Sequence, residues 1–151
     1  MFGGVTHLSV DLKGRILLPS RVKDILKEYQ GEDSPLVMTL DSPKCLLIYP
    51  QDSWKITQDK IHKMPNASHP LVKSYQRLIL GYAEQIMMDK AGRLLLPQAL
   101  RNMVALGKDV VLVGMGNRLE LWSETDWSRE TSLALNASAE SLSELLGDFS
   151  I

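Results

Sequence analysis

The chain has 151 residues, 44% of them apolar, and a formal net charge of −1. That length supports one compact domain, or two small halves sharing a core. The opening MFGGVTHLSV lacks the basic and apolar segments of a secretory leader, no apolar run approaches a membrane span, and a lone cysteine, Cys45, excludes an internal disulfide and points to a reducing cytoplasm.

Thr6, Leu8 and Val10 alternate with His7 and Ser9, the period of a half-buried strand. Asp11-Leu-Lys-Gly14 follows, with Asp first and Gly fourth. That is the preference of a type I turn, whose Asp carboxylate accepts backbone N–H bonds. Arg15-Ile-Leu-Leu18 reads as a second strand on the rim of a hairpin. Pro19–Tyr29 reads as a short helix opening on proline, with Val22, Ile25 and Leu26 apolar at helical spacing. Leu36–Leu40 and Leu46–Tyr49 predict a second hairpin across Asp41-Ser-Pro-Lys44. A helix is expected from about Asp52 to Lys63, with Trp54, Ile56 and Ile61 packing. Two prolines in Met64–Pro70 interrupt it, and another helix follows over about Leu71–Gly81.

Residues 89–97, DKAGRLLLP, then repeat residues 11–19, DLKGRILLP, with six of nine positions identical at an offset of 78. Leu119–Trp127 repeats Leu46–Trp54 at an offset of 73. Two blocks in the same order mark an internal duplication, and the change of offset puts five extra residues in the first copy, expected around Gly31–Ser34. The second copy's elements are Gln85–Met88, Arg93–Leu96, Pro97–Ala105, Val110–Val113 and Leu119–Trp122, with Met115-Gly-Asn117 turning the last pair. After Trp127 a final amphipathic helix carries Leu142, Leu145 and Leu146. Ile16-Leu-Leu and Leu94-Leu-Leu need cover on both faces. The copies are therefore expected to interlock in an α+β, mainly β, barrel with pseudo-two-fold symmetry. The division is half-domain 1–52, helical connector 53–80, half-domain 81–126 and helical tail 127–151.

Charge is unevenly spread. Residues 1–27 and 52–81 each carry five basic and two acidic side chains, whereas residues 124–151 carry six acidic side chains and one Arg. Such a chain can present a positive face to phosphates despite a neutral total. His7, His62, His69 and Cys45 show no metal-ligand spacing. No Gly-rich phosphate loop, nucleophile elbow or paired-carboxylate motif is present. The expectation is a protein that is not an enzyme and uses no cofactor or metal. Cys45 reads as a buried small side chain, Trp54 and Trp127 as packing anchors, and Gly81, Gly114 and Gly116 as turn or close-packing glycines.

The two Asp-x-x-Gly-Arg turns, each followed by an apolar triplet and Pro, do not stand alone. With Met1-Phe-x-Gly4, Leu46-Leu-Ile-Tyr49, Gln76-Arg-Leu-Ile-Leu-Gly81 and Leu119-Glu-Leu-Trp122, they resemble the MraZ family of bacterial transcriptional regulators, within the AbrB-like swapped-hairpin superfamily. The resemblance covers almost the whole chain. It implies two AbrB-like half-domains, a ring-shaped homo-oligomer, and a cytoplasmic, nucleoid-associated location. It also implies binding to double-stranded DNA, at tandem promoter repeats upstream of the division and cell-wall gene cluster that includes the protein's own gene. The Asp-x-x-x-Arg signature is associated with DNA contact, which points to Arg15 and Arg93, with Asp11, Gly14, Asp89 and Gly92 shaping the turns. Many relatives are basic where this chain has Gly3, which implies one phosphate contact fewer. The rival reading is a ring-forming interaction scaffold that no longer binds DNA, and some AbrB-like domains also act as antitoxins.

Arginine can bridge a phosphate or the O6/N7 edge of guanine bidentately. Lys13 and Lys90 inside the turns suit phosphate contacts that position without specifying, and Arg21, Lys23 and Arg101 in the following helices extend the positive face. The same residues allow a structural role in which Arg15 pairs with Asp11 across the turn; the two roles are compatible. The first copy has more basic sequence neighbours (Lys13, Arg21, Lys23, Lys27), so its turn is expected to contribute more.

Overall fold

The computed structural model describes residues 1–41 and 44–151. The expected turn at Asp41–Lys44 therefore lies partly outside the described residues. In the first copy of the repeat, β1 (Val5–Ser9) leads through the Asp11 turn to β2 (Arg15–Leu17), α1 (Ser20–Gln30), β3 (Leu36–Asp41) and β4 (Cys45–Pro50). Two helices, α2 (Gln51–His62) and α3 (Pro70–Gly81), lead to the second copy. There β5 (Glu84–Ile86), β6 (Arg93–Leu95), α4 (Gln98–Met103), β7 (Asp109–Gly114) and β8 (Leu119–Ser123) follow in the same order. The chain closes with α5 (Glu124–Leu135) and α6 (Ala139–Leu146).

Six strands form one antiparallel sheet in the order β1-β7-β8-β4-β3-β5, while β2 and β6 pair as a separate two-stranded ribbon. The pairing crosses between copies. β1 lies against β7, with Val5 opposite Val113, and β5 lies against β3, with Ile86 opposite Leu36. The two copies also meet at the centre, where β4 pairs with β8. The Asp11 and Asp89 turns are consequently corners rather than hairpin loops: each sends its chain from the large sheet into the ribbon. Leu18 N–H donates to the Gly92 carbonyl and Leu96 N–H to the Gly14 carbonyl, fastening each corner to the other copy.

Strand alternation explains why the central strands are apolar on both sides. On one face Met38, Leu40, Leu46, Ile48, Leu112 and Leu121 pack under Ile16 and Leu94 of the ribbon and Val22, Leu26 and Leu100 of α1 and α4. On the other, Val37, Leu47, Tyr49, Val111 and Trp122 pack against Trp54 and Ile61 of α2, Ile79 of α3 and the partly buried Trp127 of α5. The buried Thr39 hydroxyl donates to the Ile79 carbonyl at 2.6 Å, tying α3 to the sheet. The ribbon and the connector helices thus occupy opposite sides of the sheet.

Several expectations need correction. The strand pairing gives a six-stranded sheet ended by β1 and β5 and a separate β2–β6 ribbon over one shared core, without the continuous ladder of a closed barrel. The α+β class stands, but among the described residues helices hold more residues than strands, and the tail folds as two helices rather than one. The five extra residues of the first copy are not a loop insertion. They lengthen α1 to 11 residues against 6 in α4, which gives α1 room to bury both Val22 and Leu26. Pro19 precedes α1 rather than entering its first turn, and Ile56 is exposed while Trp54 and Ile61 are buried.

Candidate nucleic-acid interface

Each corner is built around one carboxylate. Asp11 Oδ1 accepts the backbone N–H groups of Lys13 and Arg15, both at 2.9 Å, and Oδ2 accepts Arg15 Nε at 2.8 Å. Gly14 N–H donates to the Asp11 carbonyl at 3.0 Å, and Gly14 adopts φ +82°, the left-handed position that a turn of this kind assigns to glycine. The second corner matches it bond for bond. Asp89 Oδ1 accepts from the backbone of Ala91 and Arg93 at 2.9 and 2.8 Å, and Oδ2 accepts Arg93 Nε at 2.9 Å. The backbone N–H of Arg15, its side chain and the Lys13 N–H hold the Asp11 carboxyl below the usual carboxylate value, and the Arg93 backbone and side chain do the same for Asp89.

The two roles open to these arginines are therefore geometrically combined. The carboxylate engages only the Nε edge of each guanidinium. Among the described residues the two terminal nitrogens of Arg15 and Arg93 have no partner. A guanidinium braced at Nε loses rotamer freedom in advance and still presents its two-pronged end to a bidentate acceptor.

The β2–β6 register pairs Arg15 with Leu95, Ile16 with Leu94 and Leu17 with Arg93. Paired residues share a face and successive residues alternate. Ile16 and Leu94 are fully buried against the sheet. Arg15, Leu17, Arg93 and Leu95 therefore share the outer face, with the arginines on one diagonal and the leucines on the other. Leu17 is 54% exposed and Leu95 57%. Sequence reasoning placed the arginines but passed over these leucines; the signal was available in the alternation out-in-out of Arg15-Ile16-Leu17.

The helix cations are exchanged between copies. A Cβ on Gly14 would sit 2.9 Å from the guanidinium carbon of Arg101 in α4, and one on Gly92 would sit 2.6 Å from Cδ of Lys23 in α1. Lys23 and Arg101 are equivalent under the 78-residue offset, so each helix lays its cation across the other copy's turn. Lys23, Lys27 and Lys90 line one cavity beside the second turn, and the Arg21 guanidinium lies over Gly4, at the far end of β1 from the first turn. Sequence adjacency thus credited the first turn with α1 cations that the fold places elsewhere. Lys13 and Lys90 are exposed in their turns, at positions that are not equivalent.

The remaining candidates take structural places. Cys45 is buried in β4, where burial pushes its thiol well above the ordinary range. Trp54 packs on Tyr49 with ring centroids 5.4 Å apart, and Trp127 on Trp122 at 5.8 Å. His7 is exposed on β1. Gly114 lies against the backbone of Gly3, leaving no space for a side chain. Among the described residues no helix is long and apolar enough to cross a membrane.

Comparison with known proteins points one way. A family model described as "MraZ protein, putative antitoxin-like" matches residues 1–71 and 79–146. The transcriptional regulator MraZ of Chromobacterium violaceum is 45% identical over 151 residues, covering both chains completely. That of Marinomonas sp. (strain MWYL1) is 40% identical over 154 aligned positions, again over the full length of both. A solved structure, PHS018 from Pyrococcus horikoshii, covers 81% of this chain and 89% of its own at 11% identity, with a TM-score of 0.32; a likeness that slight has no bearing on fold or function.

Proposed function

The chain belongs to the MraZ family of transcriptional regulators, and we propose that it is a sequence-specific regulator that grips double-stranded DNA with the outer face of the β2–β6 ribbon. The observation that carries this reading is the pair of arginines, each braced by its own aspartate at Nε and open at its terminal nitrogens. A two-stranded ribbon fits the major groove, and a guanidinium meets guanine O6 and N7 in two parallel bonds. Lys13 and Lys90, with Arg101 over the first turn and Lys23 over the second, supply phosphate contacts that fix the register. Arg21, over Gly4, extends the positive surface at one end. Asp11, Gly14, Asp89 and Gly92 hold the corners. The two copies act as AbrB-like half-domains, 1–52 and 81–126, in a swapped-hairpin arrangement, with 53–80 as connector and 127–151 as tail.

One subunit offers few such contacts, and a ring of subunits multiplies them when its spacing matches that of tandem repeats in DNA. Such a regulator acts on the promoter of the division and cell-wall gene cluster that includes its own gene, in the cytoplasm at the nucleoid. The test is binding to DNA from upstream of that gene, at stated salt, for wild type, Arg15→Ala, Arg93→Ala and the double variant. The double variant, folded and assembled as wild type, is expected to lose most specific affinity, and wild-type affinity should fall steeply as salt rises. Unchanged affinity in that variant refutes the assignment. Equal affinity for one repeat and for a tandem array refutes the ring-based account.

A further inference from the structure

We propose that Leu17 and Leu95 are specificity-determining residues of the ribbon, each reading the C5-methyl group of a thymine about two base pairs from one taken by Arg15 or Arg93. The inference rests on the reading of the ribbon as the DNA-facing surface and deepens it. Three observations carry it. The register fixes both leucines on the outer face, since Arg15 pairs with Leu95 and Leu17 with Arg93 while Ile16 and Leu94 fill the core side. Both leucines are more than half exposed, at 54% and 57%, so packing within the subunit does not account for them. And they are repeat equivalents, 78 residues apart, so both copies carry the same apolar group in the same place.

A surface of this composition constrains what covers it. Burying the leucines against another protein copy would also bury the two guanidinium ends that flank them, and unpaired buried charge is strongly unfavourable. The major groove offers both partners at once: acceptors on guanine for the arginines and the thymine methyl for an apolar side chain. The spacing agrees. Residues 15 and 17 are separated along the strand by roughly 6.7 Å, which corresponds to about two base-pair steps of roughly 3.4 Å. An Arg and a Leu on one strand therefore address positions about two base pairs apart, and the antiparallel partner presents the same pair in the reverse direction. Such a surface reads a near-palindromic core of mixed G·C and T·A pairs.

The test compares DNA from upstream of the protein's own gene with the same duplex in which deoxyuridine replaces thymidine throughout the bound segment. That exchange removes methyl groups while keeping pairing and charge. Wild type is expected to lose affinity by about fourfold for each methyl contacted, with the salt dependence unchanged because no phosphate contact is lost. Leu17→Ala and Leu95→Ala should each lose part of the preference for thymine, and the double variant should bind both duplexes alike. Leu17→Met with Leu95→Met, which keeps apolar reach, should restore the preference. Wild type binding both duplexes equally overturns the inference. So does a folded double alanine variant that retains the wild-type preference, because the discrimination then comes from DNA shape or other residues. Arg15→Ala and Arg93→Ala are measured alongside. If they leave binding unchanged the ribbon reading itself fails; if they weaken it while the leucine variants discriminate as wild type, only the leucine assignment fails.

Discussion

Replacing Gly14, Gly92 and Gly31 by alanine, one at a time, separates what these glycines do for the backbone from what lies across two of them. All three have nearly the same φ, at 82°, 83° and 83°. A left-handed conformation costs an L-residue about 1–2 kcal/mol, and Gly31, with ψ 175°, sits in a region that costs about 1–3 kcal/mol. Stiffening of the unfolded chain returns about 0.4–1 kcal/mol. Each variant should therefore lose on the order of 1 kcal/mol net, a fall of about 2–4 °C in Tm for a chain of this size. The surroundings differ. Nothing lies within 4 Å of a Cβ at Gly31, whereas at Gly14 and Gly92 it would meet Arg101 and Lys23 at 2.9 and 2.6 Å. Those are ends of flexible side chains, so the clash is relieved by swinging the cation away. If the cation contacts a DNA phosphate, its displacement should lower affinity by roughly tenfold, the worth of one charge-assisted bond, and reduce the slope of log K against log salt by about one. Fluorescence anisotropy across a salt series, below the lowest Tm, supplies both numbers. Gly31→Ala should bind as wild type despite its lost stability. Wild-type affinity and slope in Gly14→Ala and Gly92→Ala, or affinity falling with stability in all three, would refute the phosphate role of Arg101 and Lys23.

Leu94→Ala removes a fully buried side chain between ribbon and sheet and should cost about 2–5 kcal/mol in urea unfolding; a loss below 1 kcal/mol would mean that the ribbon is not packed as described. The Asp11 and Asp89 carboxyls lie below 3.8 in the fold. Their contribution is thus fully present above the unfolded-state value and is lost as pH falls through the folded one. Carboxyl NMR titration should give both midpoints below 3.8, and an ordinary midpoint would show that the Arg15 or Arg93 brace is absent in solution. The Cys45 thiol should resist alkylation at pH 8 in the folded protein and react promptly in urea. Gly3 has open space around it and no positive φ, so Gly3→Lys should fold with unchanged Tm and bind DNA more tightly at low salt; equal binding would place residue 3 outside the phosphate-facing surface.

What the sequence made legible was local. The repeat, the Asp-Gly-Arg turns, the buried cysteine and most strands follow from spacing and turn chemistry, because those are decided by neighbours within a few residues. What it hid depends on which strand meets which. Nothing in DLKGRILLP states that Ile16 faces Leu94, or that the Asp11 turn is a corner rather than a hairpin loop. Lys23 reads as a neighbour of Arg15 along the chain and lies instead over Gly92, an exchange that follows only once β2 is known to run beside β6. The first helix is legible to Tyr29; what the sequence hides is that α4 stops at Met103, short of the expected Ala105, which places the five extra residues in α1 rather than in the loop after it. Ile56 fits a helical apolar stripe, yet the face that α2 turns to the sheet carries Trp54 and Ile61.

The crossed pairing has a thermodynamic consequence. Neither copy owns a complete set of strand partners: β1 needs β7, β5 needs β3, and β2 needs β6. Were the copies separate polypeptides, their folding would be a bimolecular event, and the midpoint of unfolding would move with protein concentration. Here α2 and α3 hold the two in one molecule, at the millimolar local concentration that a short tether provides. Folding becomes first order, and dilution can disperse any higher assembly without melting its subunits. The same tether makes the halves a single cooperative unit, so heat or denaturant should melt both turns together rather than one after the other.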